Sequence, residues 1–257
     1  MMNASEKNPL KMVPDPYDGK TFVLPQTLCT EERRFFFKRM NEILGFLYVT
    51  TFSYNECGKN IEKIIPKLPF GSKNEIKIEF KDGRSIITTA RQIVAMTRGG
   101  LDILARQVLI MIYGSFETYL FQIFDRSYPK VGVTENPLDI SIDILMRKKW
   151  DGKFCKMRDV FGVAYKSRDL ILHFSDLQMD FGGKKIKNPL TFLDELAQIR
   201  HRIVHASSIL DTGNLVFINI AFLHEFFYFY SLLTEYIDNL FSKKFSYPMT
   251  SVESAKA

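Results

Sequence analysis

Cysteine, histidine and tryptophan are scarce in this chain of 257 residues, which has three, four and one of them. The cysteines, Cys29, Cys57 and Cys155, are odd in number, far apart and without a Cys-x-x-Cys pair. Neither a zinc ribbon nor a disulfide framework is therefore supported, and buried thiols in a reducing cytosol are the expectation. Three catalytic templates are missing: a Gly-rich phosphate loop, a Gly-x-Ser-x-Gly elbow and a dinucleotide-binding fingerprint. A long unbroken apolar run is missing as well. The most lipid-like stretch, Leu215 to Thr234, carries His224 and Glu225 in its middle, where charge is costly in a bilayer, so no membrane span is expected. Met1 to Asp18 is polar and proline-punctuated, and lacks the apolar centre of a signal peptide.

What the chain does have is apolar mass. With 46% hydrophobic residues it can bury a full core, and its 23 phenylalanines fall largely at helical spacing, as core residues do. The net charge of +6 favours polyanionic partners through long-range attraction.

Residues 1–29, with Pro9, Pro16 and Pro25, read as an extended arm. Thr30-Glu31-Glu32-Arg33 supplies an N-cap and acidic first-turn residues, which suit the positive end of a helix dipole. A long helix then runs through Phe35, Phe36, Leu44, Phe46 and Leu47 toward Cys57. After a break at Pro66, Pro69 and Gly71, Ile76 to Phe80 alternates apolar and polar residues. Lys81-Asp82-Gly83 turns the chain, and Ser85 to Thr88 pairs back as a small hairpin. Gly99-Gly100 punctuates the next region, and Leu101 to Phe124 is helical on a 3.6-residue repeat. Arg126 to Lys166 reads as irregular, with short helices at best. Further helices are predicted over Ser167–Leu177, Leu190–Ala206 and Asn219–Phe241, with turns at Gly182-Gly183 and Asp211 to Asn214. The expected fold is mainly α, an up-down helical bundle with a small β-hairpin insertion and an N-terminal helical elaboration. Along the chain this divides as an arm (1–29), the helix and hairpin elaboration (30–89), a helical core (90–245) and a C-terminal tail (246–257).

The chemistry concentrates at the end of one helix. On a wheel of roughly 100° per residue, Phe192, Leu196, Ile199 and Ile203 form a core stripe. Arg200, His201, Val204 and His205 fall outside it, and Ala206-Ser207-Ser208 follows at once. A helix end that gathers Arg and His beside a small-residue loop suits anion binding and proton transfer. Such cations also suit a helix C-terminus for structural reasons alone, because they favour the dipole. His201-x-x-x-His205 places two imidazoles on one face, but no third ligand is set by spacing, so no metal is expected.

Arg200-His201-Arg202-Ile203-Val204-His205 resembles the Arg-polar-x-x-x-His signature of the HEPN superfamily, helical-bundle proteins that include many metal-independent ribonucleases. Phe116-Glu117-Thr118-Tyr119-Leu120 is similar to a segment of the first core helix in such proteins. The resemblance covers roughly residues 90–245. It implies an endoribonuclease that needs neither metal nor cofactor, acting as a cytoplasmic toxin, antiviral defence effector or RNA processor. His205 is implied as general base or acid, Arg200 as the cation on the phosphoryl oxygens, and His201 as an orienting or second proton-transfer group. The implied partners are RNA, a second copy of the chain that completes a composite site, and an antitoxin or regulatory protein. A catalytically silent helical module that binds RNA, nucleotide or a protein is the alternative within the same superfamily.

Arg168-Asp169-Leu170-Ile171-Leu172-His173 fits the same pattern and stands as the other candidate copy. The 200–205 copy is preferred because it closes a long helix and precedes small residues, whereas His173 lies inside an apolar run. For substrate contacts, Arg202 is a phosphate-positioning candidate. Lys148, Lys149 and Trp150 form the densest basic run, with Lys153, Lys156 and Arg158 nearby and the indole as a stacking face. Lys184 and Lys185 add a second basic loop before the motif helix.

Overall fold

The computed structural model describes residues 28–64, 75–79, 81–174, 180–181, 184–185, 188–204 and 220–250. Among these residues the chain forms helices α1 (Glu31–Ile64), α2 (Ala90–Val131), α3 (Pro137–Met146), α4 (Trp150–Phe161), α5 (Ser167–His173), α6 (Pro189–Val204) and α7 (Ile220–Phe245). Four short strands accompany them: β1 (Glu75–Glu79), β2 (Ser85–Thr89), β3 (Asp180–Phe181) and β4 (Lys184–Lys185). The mainly α expectation holds. The predicted breaks at residues 66–71, 182–183 and 211–214, and the arm up to residue 27, lie outside the described residues.

The hairpin forms where the alternation predicts it, with Ile78 opposite Ile86 and Glu79 opposite Ser85. Its second strand leads directly into α2 through a reciprocal cap. The Thr89 hydroxyl accepts the Gln92 N–H at 3.2 Å, and the Gln92 side chain accepts the Thr89 N–H at 2.9 Å.

That cap starts α2 at Ala90, well before the Gly99-Gly100 pair taken as punctuation. The glycines lie inside the helix because α1 packs there. A Cβ on Gly100 would stand 2.3 Å from the Tyr54 ring, so only glycine admits so close an approach. The helix ends at Gly132, whose φ of 62° is a left-handed cap. The stretch expected to be irregular is also more helical than its pattern suggests. Asn136 caps α3, with Pro137 at its first turn, and Gly162 closes α4 at φ 63°. Local capping, rather than a long apolar repeat, defines these helices.

Three helices carry the core. Glu32 meets Arg126, Phe36 meets Tyr119, and Tyr54 meets Gly100, so α1 and α2 run antiparallel. Tyr113 packs on Tyr230 and Phe124 on Phe241, so α2 and α7 run parallel. Phe37, Met40 and Leu47 of α1 belong to the same buried cluster as Phe116, Phe124, Phe227 and Phe241. In space, α1 is therefore a wall of the core, although along the chain it precedes the segment read as the core. The tail is partly docked as well. Tyr247 is buried, hydrogen-bonds Ser127 at 2.8 Å and lies beneath Arg126, and Thr250 pairs with Cys29 in a single β-bridge.

One polar cluster is sealed inside this frame. The Asp238 carboxylate accepts the Thr30 N–H at 2.9 Å, the Thr30 hydroxyl, and the Tyr119 hydroxyl at 3.3 Å. Beside it Arg33, 0% exposed, donates to the Ser231 carbonyl at 3.3 Å and meets Glu235 at 3.4 Å. Burial raises the Asp238 pKa, against the pull of the Thr30 hydrogen bonds, Arg33 and Tyr119.

Candidate active site at the end of helix α6

Helix α6 follows the predicted wheel. Asn188 stands ahead of it, with its side chain accepting the Leu190 N–H at 2.9 Å. Phe192, Leu193 and Leu196 are buried, while Ile199 and Ile203 pack half-buried against the core. Phe192 meets Phe226 and Phe229 of α7, which fixes the rotation of α6 and turns Arg200 toward α2. There the guanidinium sits 5.6 Å from the Tyr113 ring centroid and 3.9 Å from the Glu117 carboxylate. Tyr113 and Glu117 are four residues apart on α2, one helical turn, and so present one edge to the arginine.

At 3.9 Å the pair is coulombic rather than hydrogen-bonded. Among the described residues the Arg200 guanidinium donates no hydrogen bond, and the side chain is 36% exposed, so its donors face water. Glu117 is 30% exposed, and burial raises its pKa against the opposing pull of Arg200 and Lys153. Tyr113 is pushed well up, first by burial and then by the Glu117 charge.

Beneath this pair lies α4. The Trp150 N–H donates to Asp194 of α6 at 2.8 Å, tying the start of α4 to the motif helix. Its indole N–H faces the Tyr113 hydroxyl without reaching strict hydrogen-bond geometry. Lys153 is buried, donates to the Leu145 carbonyl and stands 5.1 Å from the Trp150 ring. Desolvation lowers its pKa, while Glu117 and Asp194 hold it up. The result is a partly open cluster of two carboxylates, two cations and a phenol joining α2, α4 and α6.

Comparison with protein-family models, curated proteins and solved structures finds no match. The site therefore rests on its own geometry.

Several predicted residues need relocation. Trp150 is 1% exposed and wedged between Phe116 and Phe154, so it is a core residue and not a stacking face. As the first residue of α4, its side chain turns inward beneath α2. The basic run is also partly neutralised. Lys153 points inward, Arg147 and Lys156 share the Asp143 carboxylate, and Arg158 pairs with Asp159. Lys148 and Lys149 remain exposed, with no ion pair among the described residues. Lys149 directly precedes Trp150, so this basic turn borders the Arg200 cluster.

His201 is exposed and Arg202 half-buried at the end of α6, and both have interactions with neighbouring groups. His205 lies outside the described residues. Lys184 and Lys185 form strand β4 opposite Phe181 and Asp180. The competing segment has a different character. The His173 ring packs on Tyr236 and Phe174, and its Nε2 lies 3.2 Å from the Leu232 carbonyl, while Arg168 is exposed at the opposite end of the short α5. His173 is a packing residue.

Among the described residues no group of three or more His, Cys, Asp or Glu could hold a metal ion. Nor is any helix among them long and apolar enough to cross a membrane. An open cleft of about 440 Å³ lies elsewhere, between α1 and α2, and its lining (Phe35, Arg39, Met111 and Thr118 among others) includes no residue of α6. Glu117 and Tyr113 are the site residues that pattern reading assigns no role, and Lys153, grouped by sequence with the basic run, is instead buried within the cluster. Glu117 and Tyr113 do interrupt an apolar helix at one-turn spacing, which marks a polar edge without naming its partner.

Proposed function

We propose that this protein is a metal-independent endoribonuclease of the HEPN type. The observation that carries the reading is Arg200: a permanent, planar cation at the end of the motif helix, braced by Tyr113 and Glu117, with donors directed to solvent. Such a group can bind phosphoryl oxygens and stabilise the charge that builds on them in the transition state. RNA supplies its own nucleophile. His205 takes the proton of the ribose 2′-hydroxyl, the 2′-oxygen bonds to phosphorus, and the bond from phosphorus to the 5′-oxygen breaks. A proton delivered to that 5′-oxygen, with His201 the candidate donor, completes the step. The products are a 2′,3′-cyclic phosphate and a 5′-hydroxyl.

Two motif copies facing each other across a homodimer would bring Arg200 and His205 onto one phosphate, since residues five apart at helical spacing would diverge around a single helix. Lys148 and Lys149 border the cluster and are suited to holding the RNA backbone without choosing sequence. A cytoplasmic toxin or defence effector, restrained by an antitoxin or regulatory protein, is the corresponding cellular role.

The test incubates purified protein with total RNA in excess chelator, beside Arg200→Ala and His205→Ala variants. We expect cleavage by the parent alone, ending in cyclic phosphates, and by a dimer when mass is measured in parallel. Equal inactivity of all three would transfer the protein to a second reading, a silent RNA- or partner-binding module. The Glu117 contact favours that reading, since it already neutralises Arg200 in part.

A further inference from the structure

An anion approaching Arg200 meets a carboxylate already there. Glu117 stands 3.9 Å from the guanidinium, close enough to cancel much of its field but too far to bind its N–H groups. A residue that merely oriented the arginine would be expected to grip it with short, paired hydrogen bonds. The glutamate is also poorly matched to its own surroundings. Its side chain is only 30% exposed. Tyr113 and the buried Tyr230 flank it, and Lys153 is turned to the Leu145 carbonyl. Asp194 of α6 adds a second negative charge to the cluster. Glu117 is thus a half-desolvated carboxylate whose ionised form depends on Arg200.

We propose that Glu117 is the resident counter-ion of the Arg200 phosphate site, a built-in competitor that RNA must displace. The proposal rests on the reading that Arg200 binds phosphate. When a phosphate takes the guanidinium, Glu117 loses its stabilising cation and gains an adjacent anion. It then turns to water or takes a proton from solvent, becoming a neutral carboxylic acid. The fold thereby carries its own affinity brake: a weakly binding polyanion does not dislodge the glutamate, whereas an RNA held also by Lys148 and Lys149 does.

The sign of the effect separates this role from positioning. Glu117→Gln keeps the size of the side chain and removes its charge. At pH 7.5 and fixed salt we expect it to bind a 2′-O-methyl RNA 20-mer, which cannot be cleaved at its 2′ positions, roughly ten-fold more tightly than the parent. That figure is a near-contact charge discounted for solvent screening. The ratio of the two affinities should fall toward one as the pH is lowered and the parent's Glu117 protonates. Taking the ratio cancels whatever pH response the two proteins share, and so isolates Glu117. Arg200→Ala should abolish the difference, so that the double variant binds like Arg200→Ala alone. Melting temperature verifies that each variant is folded.

Weaker or equal binding by Glu117→Gln overturns the counter-ion role. If Arg200→Ala changes binding in neither background, the phosphate reading falls and the counter-ion with it. If binding depends on Arg200 and tightens in Glu117→Gln but the parent cleaves no RNA, the nuclease fails and the counter-ion stands.

Discussion

Glu117 and Tyr119 lie two residues apart on α2 and belong to opposite kinds of polar cluster. Tyr119 enters the sealed one, where Asp238 accepts from Thr30 and Tyr119 inside the core and the buried Arg33 lies beside it, bonded to Ser231. Glu117 enters the open one, where Arg200 is held by field and ring contact and keeps its donors for water. In both, burial raises a carboxyl pKa, but only Asp238 is repaid by several hydrogen bonds. A buried carboxylate bonded this many times is hard to break and offers little to a ligand. An unsaturated, half-exposed one contributes little to stability and has bonding capacity to spare. Function is therefore sought at Arg200 and not at Asp238, although the sealed cluster contains the more deeply buried charges.

This contrast can be broken by measurement, and the floor of the open cluster gives the largest effect. Trp150→Ala should cost about 4 kcal/mol in chemical denaturation, the range for emptying a large aromatic site in a core. A loss under about 1 kcal/mol, as for an exposed residue, would return Trp150 to the surface and to a stacking role. Next comes the sealed cluster itself. Asp238→Ala strands the buried Thr30 N–H and hydroxyl and takes one acceptor from the Tyr119 hydroxyl, and should cost about 3 kcal/mol by the same assay. A near-neutral result would mean that the cluster is as open to water as its counterpart.

The smallest effect is a pH dependence. A carboxyl whose folded pKa is raised stabilises the fold below its unfolded value, and that contribution is lost as pH rises through the folded value. For Glu117 the window starts at the ordinary 4.5 and extends upward. The melting temperature of Glu117→Gln relative to the parent should therefore climb from acid toward neutral pH. A constant difference would mean that Glu117 is well solvated, like a surface carboxylate.

Much of this architecture is legible in the sequence. The apolar repeat of α6, the N-cap at Thr30 and the turn at Lys81-Asp82-Gly83 each act over one or two turns of chain, and the structure forms them where expected. The full length of α2 was less legible, since Gly99-Gly100 reads as a break until Tyr54 is seen filling the space beside it. The candidate site was half legible. Arg200 and its helix could be named, whereas Glu117 and Tyr113 could not and Lys153 was read as a surface cation, because their partnership with Arg200 joins helices that local patterns do not relate.

The sequence by itself determined the helical class, the hairpin and which residues share the end of α6, since periodicity and capping are short-range physics. Only the tertiary structure decided that Trp150 and Lys153 turn inward, that His173 is packing, and that Arg200 faces Glu117. Those outcomes depend on which helix surfaces meet, and that choice follows from the fit of whole faces across long stretches of chain.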